Sequence, residues 1–331
     1  MLSFDSRSPE CGESLQQEEN EIQTRSSFRT YLIAVLLALV VTALWASSWV
    51  IIKFGLEEIP PVTFAGLRYG LAAAILLGLI LANKESRNAV RKQHRRWWSA
   101  MVGYGTLFVT ITQGTQFLAL SLLPAITVSL ILNLTPIVVL ILSVGLLRER
   151  PSLDQIGFIS LGIIGIAIYF YPKDLGELVL FGVLVTVVAL LANSLSAVVG
   201  RAINRSRTAP ALTITGISMT FGALILLIWG FVTEGVPALS LTSWTYIIWL
   251  SLVNTALAFT LWNKAMQYIR AIDMSLIQST MMPQIIILSV IFLGEIPTVL
   301  DWIALSLIAV SVLLVQVSQA RRVSGKQTER N

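Results

Sequence analysis

Gln113, Gln116, Asn133, Asn254 and Gln278 are uncharged amides set inside apolar runs. Each brings donors and acceptors into surroundings that otherwise offer few. Other polar residues recur beside them at helical spacing. Ser129, Asn133 and Pro136 fall at i, i+4 and i+7, and Ser275, Gln278, Ser279 and Met282 repeat that spacing. Thr106, Thr110 and Gln113 share a third face with Gln116 one turn on, and Trp45, Ser48 and Trp49 share a fourth. Such faces suit a small polar molecule held by hydrogen bonds. They do not suit catalysis: Cys11 and His94 are each the only residue of their kind. No nucleophile, metal-ligand set or acid–base pair converges elsewhere. Neither a cofactor nor a metal is therefore expected. The amides have two open roles, joining helices or lining a wet cavity, whereas Ser and Thr hydroxyls ordinarily bond their own helix backbone.

Charge and proline narrow the choice. Glu57, Glu58, Asp154, Glu177, Asp273, Glu295 and Asp301 all fall near the ends of apolar runs. Arg68 lies inside one and needs a partner or water. Glu57 or Glu58 can supply the counter-charge, or the guanidinium can capture a carboxylate or other anion. Gly66 and Gly70 flank Arg68 at a spacing that suits close helix packing. Pro136 and Pro283 each lie ~16 Å along their runs, near a bilayer midplane. Each removes a backbone donor and frees a carbonyl four residues earlier, at Leu132 and Ser279. One such proline is a tolerated kink; a matched pair points to a central cavity or hinge.

The elements that position these residues are membrane helices. Of the 331 residues 55% are hydrophobic and 12% charged, against roughly a quarter charged in soluble domains. With about 20 apolar residues needed per crossing, the runs predict an all-α integral membrane protein of ten transmembrane helices. They fall near 31–53, 62–82, 98–119, 125–147, 155–172, 178–200, 210–232, 244–263, 272–293 and 301–319. The turn Ser121-Leu122-Leu123-Pro124 must separate the third from the fourth. Residues 1–30 are polar, cannot bury a core and read as a disordered tail; 320–331 form a second tail. With both termini cytoplasmic, every one of the 23 Lys and Arg except Lys53, Arg68 and Lys173 falls on the inner side. The basic net charge is thus a topology signal, and no nucleic-acid partner is expected.

The chain also repeats itself about 147 residues apart. Asn133-Leu134-Thr135-Pro136 followed by Arg148-Glu149-Arg150-Pro151 matches Thr280-Met281-Met282-Pro283 followed by Gly294-Glu295-Ile296-Pro297. Asp154 matches Asp301, and Ala119 and Ala125 match Ala265 and Ala271. Two five-helix halves, 31–172 and 178–319, must enter the membrane in opposite senses, which is an inverted-topology repeat. These residues, with Leu44-Trp45-Ala46-Ser47-Ser48-Trp49 and Pro60-Pro61, resemble the EamA-type branch of the drug/metabolite transporter superfamily over residues 31–319. The resemblance implies ten helices, two repeats, a plasma membrane of bacterial inner-membrane type, and export or exchange of metabolites. Arg148 stands where that family usually has glycine.

The expectation is a secondary transporter exporting small polar metabolites by alternating access, rather than a non-transporting scaffold or sensor. No P-loop supports primary pumping. Without a midplane carboxylate a permanent cation lacks a counter-charge, so amino-acid-like, neutral to anionic substrates fit better. The expected site comprises Trp45, Ser48, Trp49, Arg68, Gln113, Gln116, Asn133, Asn254, Gln278 and Ser279, with Pro136 and Pro283 as cavity backbone. Expected partners are that substrate and the lipid bilayer; a homodimer is left open.

Overall fold

A computed structural model describes residues 9–147, 153–171, 176–205, 208–265, 268–269, 274 and 277–328, and among them there is no strand. Their elements are α1 (Pro9–Gly55), α2 (Pro61–Ala82), α3 (Lys84–Arg91), α4 (Arg95–Gly105), α5 (Thr112–Leu122), α6 (Ala125–Leu132) and α7 (Thr135–Leu147). There follow α8 (Leu153–Phe170), α9 (Glu177–Arg205), α10 (Ala211–Thr233), α11 (Leu241–Ser251), α12 (Ala258–Ala265), α13 (Met281–Leu288) and α14 (Val299–Thr328). Three π-helical segments interrupt or extend them: π1 (Thr106–Ile111), π2 (Leu252–Leu257) and π3 (Ser289–Leu293).

Eight helices among the described residues are long and apolar enough to cross a membrane, and a ninth apolar stretch, Ile277–Leu293, is shorter. The continuous run α4–π1–α5 has the length to cross but carries Arg95, Arg96 and a series of Thr and Gln, which lower its apolar character. α1 starts at Pro9, where the polar composition predicts a disordered tail. The stretch holding Glu13, Gln16, Gln17, Glu18 and Glu19 is rich in helix formers, and extending an existing helix avoids the cost of nucleation.

Proline sets several starts. Pro60, Pro124 and Pro210 are the N-caps of α2, α6 and α10, all in extended backbone, where a missing N–H costs nothing. The α5–α6 turn falls at Leu123-Pro124, as the sequence requires. In the packing, α2 lies against α10 and α8 against α14; α9 lies against α5 and π1, and α1 against α12 and α13. One core surrounds Phe64, Phe117, Leu120, Leu226 and Leu250, and a second surrounds Leu130, Ile137, Ile308 and Val312. α4 and α10 cross closely. A Cβ on Gly105 would lie 2.0 Å from the Ser218 carbonyl oxygen, and one on Gly222 would lie 2.2 Å from that of Gly105. Gly66 and Gly70 likewise let α2 approach Leu227 of α10.

Candidate functional site

The two prolines break their helices in the same way. Asn133 ends α6 at φ −66°, ψ −13°, and its counterpart Thr280 precedes α13 at φ −68°, ψ −13°. The breaks meet: Asn133 Nδ2 donates to Met282 Sδ at 2.8 Å. The Leu132 carbonyl, which Pro136 frees from its helix, is taken by the Thr135 hydroxyl at 2.6 Å. Asn193, which no pattern in the sequence singles out, donates to that hydroxyl at 3.1 Å. Pro136 is half-buried, whereas Pro283 is exposed on a face shared with Ile287 and Ile291, at 55% and 65% exposure. Gln284, one residue on, reaches Thr42 of α1 at 3.2 Å and leaves its Oε1 buried and unbonded among the described residues. Gln278 is exposed, and the Ser279 hydroxyl donates to Gln316 Oε1 at 2.9 Å. Ser275, Glu149 and Pro151 lie outside the described residues.

Arg68 is 5% exposed, and its Nε donates to the Thr255 hydroxyl at 3.2 Å. Its guanidinium carbon lies 5.1 Å from the Tyr69 ring centre and 5.9 Å from that of Phe117, distances at which a cation is attracted to a ring face. The counter-charge expected from Glu57 or Glu58 is not there. Glu58 instead accepts from the hydroxyls of Ser240 and Ser243, which hold its carboxyl below the usual carboxylate range. Thr255 reaches Arg68 from π2, where its hydroxyl also bonds the Leu250 carbonyl at 2.8 Å. π1 occupies the corresponding position in the other repeat, and Thr112 just after it bonds Leu107 the same five residues back. π segments concentrate at functional sites. They are not legible in the sequence, because no residue type marks them.

Asn254, also in π2, is fully buried: its Nδ2 donates to the Leu44 carbonyl and to Ser47 Oγ, and its Oδ1 has no partner among the described residues. Trp45 packs against Phe259 and Trp262 at ring-centre distances of 5.6 and 5.0 Å. Ser48 bonds its own helix at the Trp45 carbonyl, and Trp49 sits in the apolar core. Gln113 and Gln116 are half-buried, and in the repeat they correspond to Phe259 and Trp262.

At one end of the bundle charged side chains bind helix termini. Glu295 accepts from the amides of Ala125 and Ile126 at 2.7 and 2.9 Å, at the start of α6. Glu234 accepts from Val62 and Thr63 at 3.1 and 2.8 Å, at the start of α2. Lys53 donates to the carbonyls of Leu120 and Leu123 at 2.9 and 3.0 Å, at the end of α5. Each charge has the sign that its helix terminus favours. Gly294, at φ +66°, turns the chain so that Glu295 can reach back. A cavity of ≈ 470 Å³ opens beside this clamp, lined among others by Leu123, Thr127, Tyr169, Glu295 and Asp301. The span-ending glutamate is visible in the repeat, but its partners are not, because they are backbone amides far away in sequence.

A family model described as EamA-like transporter family matches residues 32–171 and 180–317. The chain belongs to the EamA-like transporter family. It is 26% identical over 251 residues to the uncharacterized transporter YoaV of Bacillus subtilis (strain 168), covering 72% of this chain and 82% of that one. It is 24% identical over 240 residues to a probable amino-acid metabolite efflux pump of Salmonella typhimurium, covering 69% and 76%. It is 26% identical over 137 residues to an S-adenosylmethionine/S-adenosylhomocysteine transporter of Chlamydia trachomatis serovar L2, covering 41% of each. A solved crystal structure at 20% identity has a TM-score of 0.61 and covers 88% of this chain and 98% of its own, a likeness of fold. EamA-like proteins are transporters rather than enzymes. This chain is accordingly a multi-pass membrane protein that carries a small-molecule substrate.

Proposed function

We propose that the protein is a ten-span secondary exporter built from two inverted five-helix repeats, with both termini in the cytoplasm. Its proposed substrates are amino-acid-like, neutral to anionic metabolites moved by alternating access. The observation that carries the transport reading is the family match over both repeats. The inverted repeat draws support from helix breaks and π segments at corresponding positions, and from the packing of corresponding helices, α2 on α10 and α8 on α14. The direction draws on relatives named as efflux pumps. The orientation rests on the lopsided distribution of Lys and Arg. Reporter fusions after residue 331 and at residue 237 are expected to report opposite sides of the membrane; the same side for both would overturn the ten-span topology.

The substrate reading rests on Arg68, a buried cation that makes no ion pair among the described residues. Its two terminal nitrogens make no hydrogen bond to any of those residues, and they form a planar fork suited to a carboxylate. Trp45, the half-buried Gln113, Gln116 and Asn133, and the helix break at Pro136 complete the proposed cavity, whereas Pro283 and Gln278 lie on exposed faces and Asn254 joins π2 to α1. In liposomes loaded with a panel of amino acids, nucleobases, organic acids and one quaternary ammonium, flux is expected for a carboxylate-bearing member. Loss of one charge-assisted contact costs about 1.5–3 kcal/mol. Arg68→Ala is therefore expected to slow that flux by about tenfold or more, with normal membrane insertion. Strong quaternary ammonium transport, unaffected by Arg68→Ala, would reverse the charge argument.

A further inference from the structure

The two repeats differ sharply in one connection. Between α10 and α11 the chain needs only residues 234–240, which hold no Lys, no Arg and no helix. The matching link between α2 and α4 spans residues 83–94 and contains α3. The repeat fold does not require α3, since the other half closes without it.

α3 is built as a two-faced helix. Asn83 caps it, its side chain accepting from the amides of Glu85 and Ser86 at 2.8 and 3.3 Å. Ser86, Ala89 and Val90 turn inward, with Val90 packed against the cluster around Ile80, Trp97 and Met101. Gln93 ties the far end down, donating to Ala89 at 3.0 Å and, from the other repeat, to the carbonyl of Thr208 at 2.9 Å. The opposite face carries Lys84, Arg87 and Arg91 at i, i+3 and i+7, all exposed. Lys92, Arg95 and Arg96 continue the exposed cations into α4. None of these six is ion-paired among the described residues. The segment is therefore a fixed shelf of positive charge.

Its position identifies what it meets. Leu79 and Leu81, just before the shelf, are 47% and 63% exposed, and Val102, two turns after Arg95, is 37% exposed. Trp98 stands half-buried at the start of α4, as aromatics do at a membrane–water interface. The cations thus begin where lipid-facing apolar surface ends, at headgroup depth. We infer that α3 and the residues through Arg96 form a docking surface for anionic phospholipid headgroups, with the lipid phosphates as the recognised groups. The leaflet concerned, the cytoplasmic one, rests on the orientation proposed above; the binding itself does not.

The test uses the full-length protein in zwitterionic micelles, where orientation plays no part, so failure here and failure of the topology are separate results. Bound phosphatidylglycerol and phosphatidylcholine are counted by native mass spectrometry, and the thermal midpoint is followed with each. The comparison is with a variant carrying Arg87→Gln, Arg91→Gln, Lys92→Gln, Arg95→Gln and Arg96→Gln, all surface changes. Wild type is expected to retain and be stabilised by phosphatidylglycerol over phosphatidylcholine, less so at high salt. The variant is expected to lose about fivefold in phosphatidylglycerol binding for each of the first cations removed, while melting like wild type in phosphatidylcholine. Equal phosphatidylglycerol binding by both proteins would overturn the proposal. Stabilisation matched by inorganic phosphate alone, or displacement of the lipid by an acidic peptide or RNA, would overturn it too, by giving the surface to a soluble polyanion.

Discussion

Gly105→Ala and Gly222→Ala are each expected to cost enough stability to deplete the folded protein. At both positions the new Cβ would strike backbone, 2.0 Å from the oxygen of Ser218 and 2.2 Å from that of Gly105. No side chain can rotate away to relieve either clash, so α4 and α10 must move apart. Overpacking costs about 1–3 kcal/mol and occasionally more, and a backbone clash belongs at the upper end. Separation also weakens the 2.8 Å bond from the Thr110 hydroxyl to the Gly222 carbonyl. Because either alanine forces the same separation, the double variant is expected to cost less than the sum of the singles. Gly103 is the internal control: it lies on the same helix, and a methyl group there would have nothing within 4 Å. Gly103→Ala is expected to be neutral or stabilising by about 0.5–1 kcal/mol. Thermal unfolding in detergent reads all four variants. Equal melting of Gly103→Ala and Gly222→Ala would show that the crossing is not tight.

Glu295→Ala is expected to open the end of the bundle that the clamp closes. The substitution strips two amides at the start of α6 of their acceptor and leaves Lys53 without the carboxylate within its electrostatic reach. Hydrogen bonds to a charged group contribute about 1.5–3 kcal/mol each, so the balance between clamped and open states is expected to move by at least about tenfold. The readout is a cysteine at Leu123, which is 2% exposed at the turn that the clamp grips, with Cys11→Ser in the background. In the orientation proposed above, a membrane-impermeant thiol reagent on intact cells is expected to label it about tenfold faster with Glu295→Ala. Glu295→Gln, which keeps one acceptor oxygen, is expected to fall between. Unchanged labelling would mean that another contact closes this end.

What the sequence determined by itself is whatever depends on local composition and covalent geometry. The lipid-compatible runs, the turn at Pro124, the matched breaks at Pro136 and Pro283 and the family all follow from residues read in order. Each run must satisfy its own backbone in lipid, and proline's missing N–H acts within one turn. Only the tertiary structure decided the partners. Arg68 has acidic residues close by in sequence, yet helix packing sets it against Thr255 and Phe117. Asn133 meets Met282 and Glu295 meets the start of α6 because the two halves lie against one another. The π segments likewise depend on how α4–π1–α5 and α11–π2–α12 pack, since a small shift in backbone bonding leaves no mark on residue type. Hydrogen bonds and charges act over a few ångströms of space, and the fold alone sets which distant residues come that close.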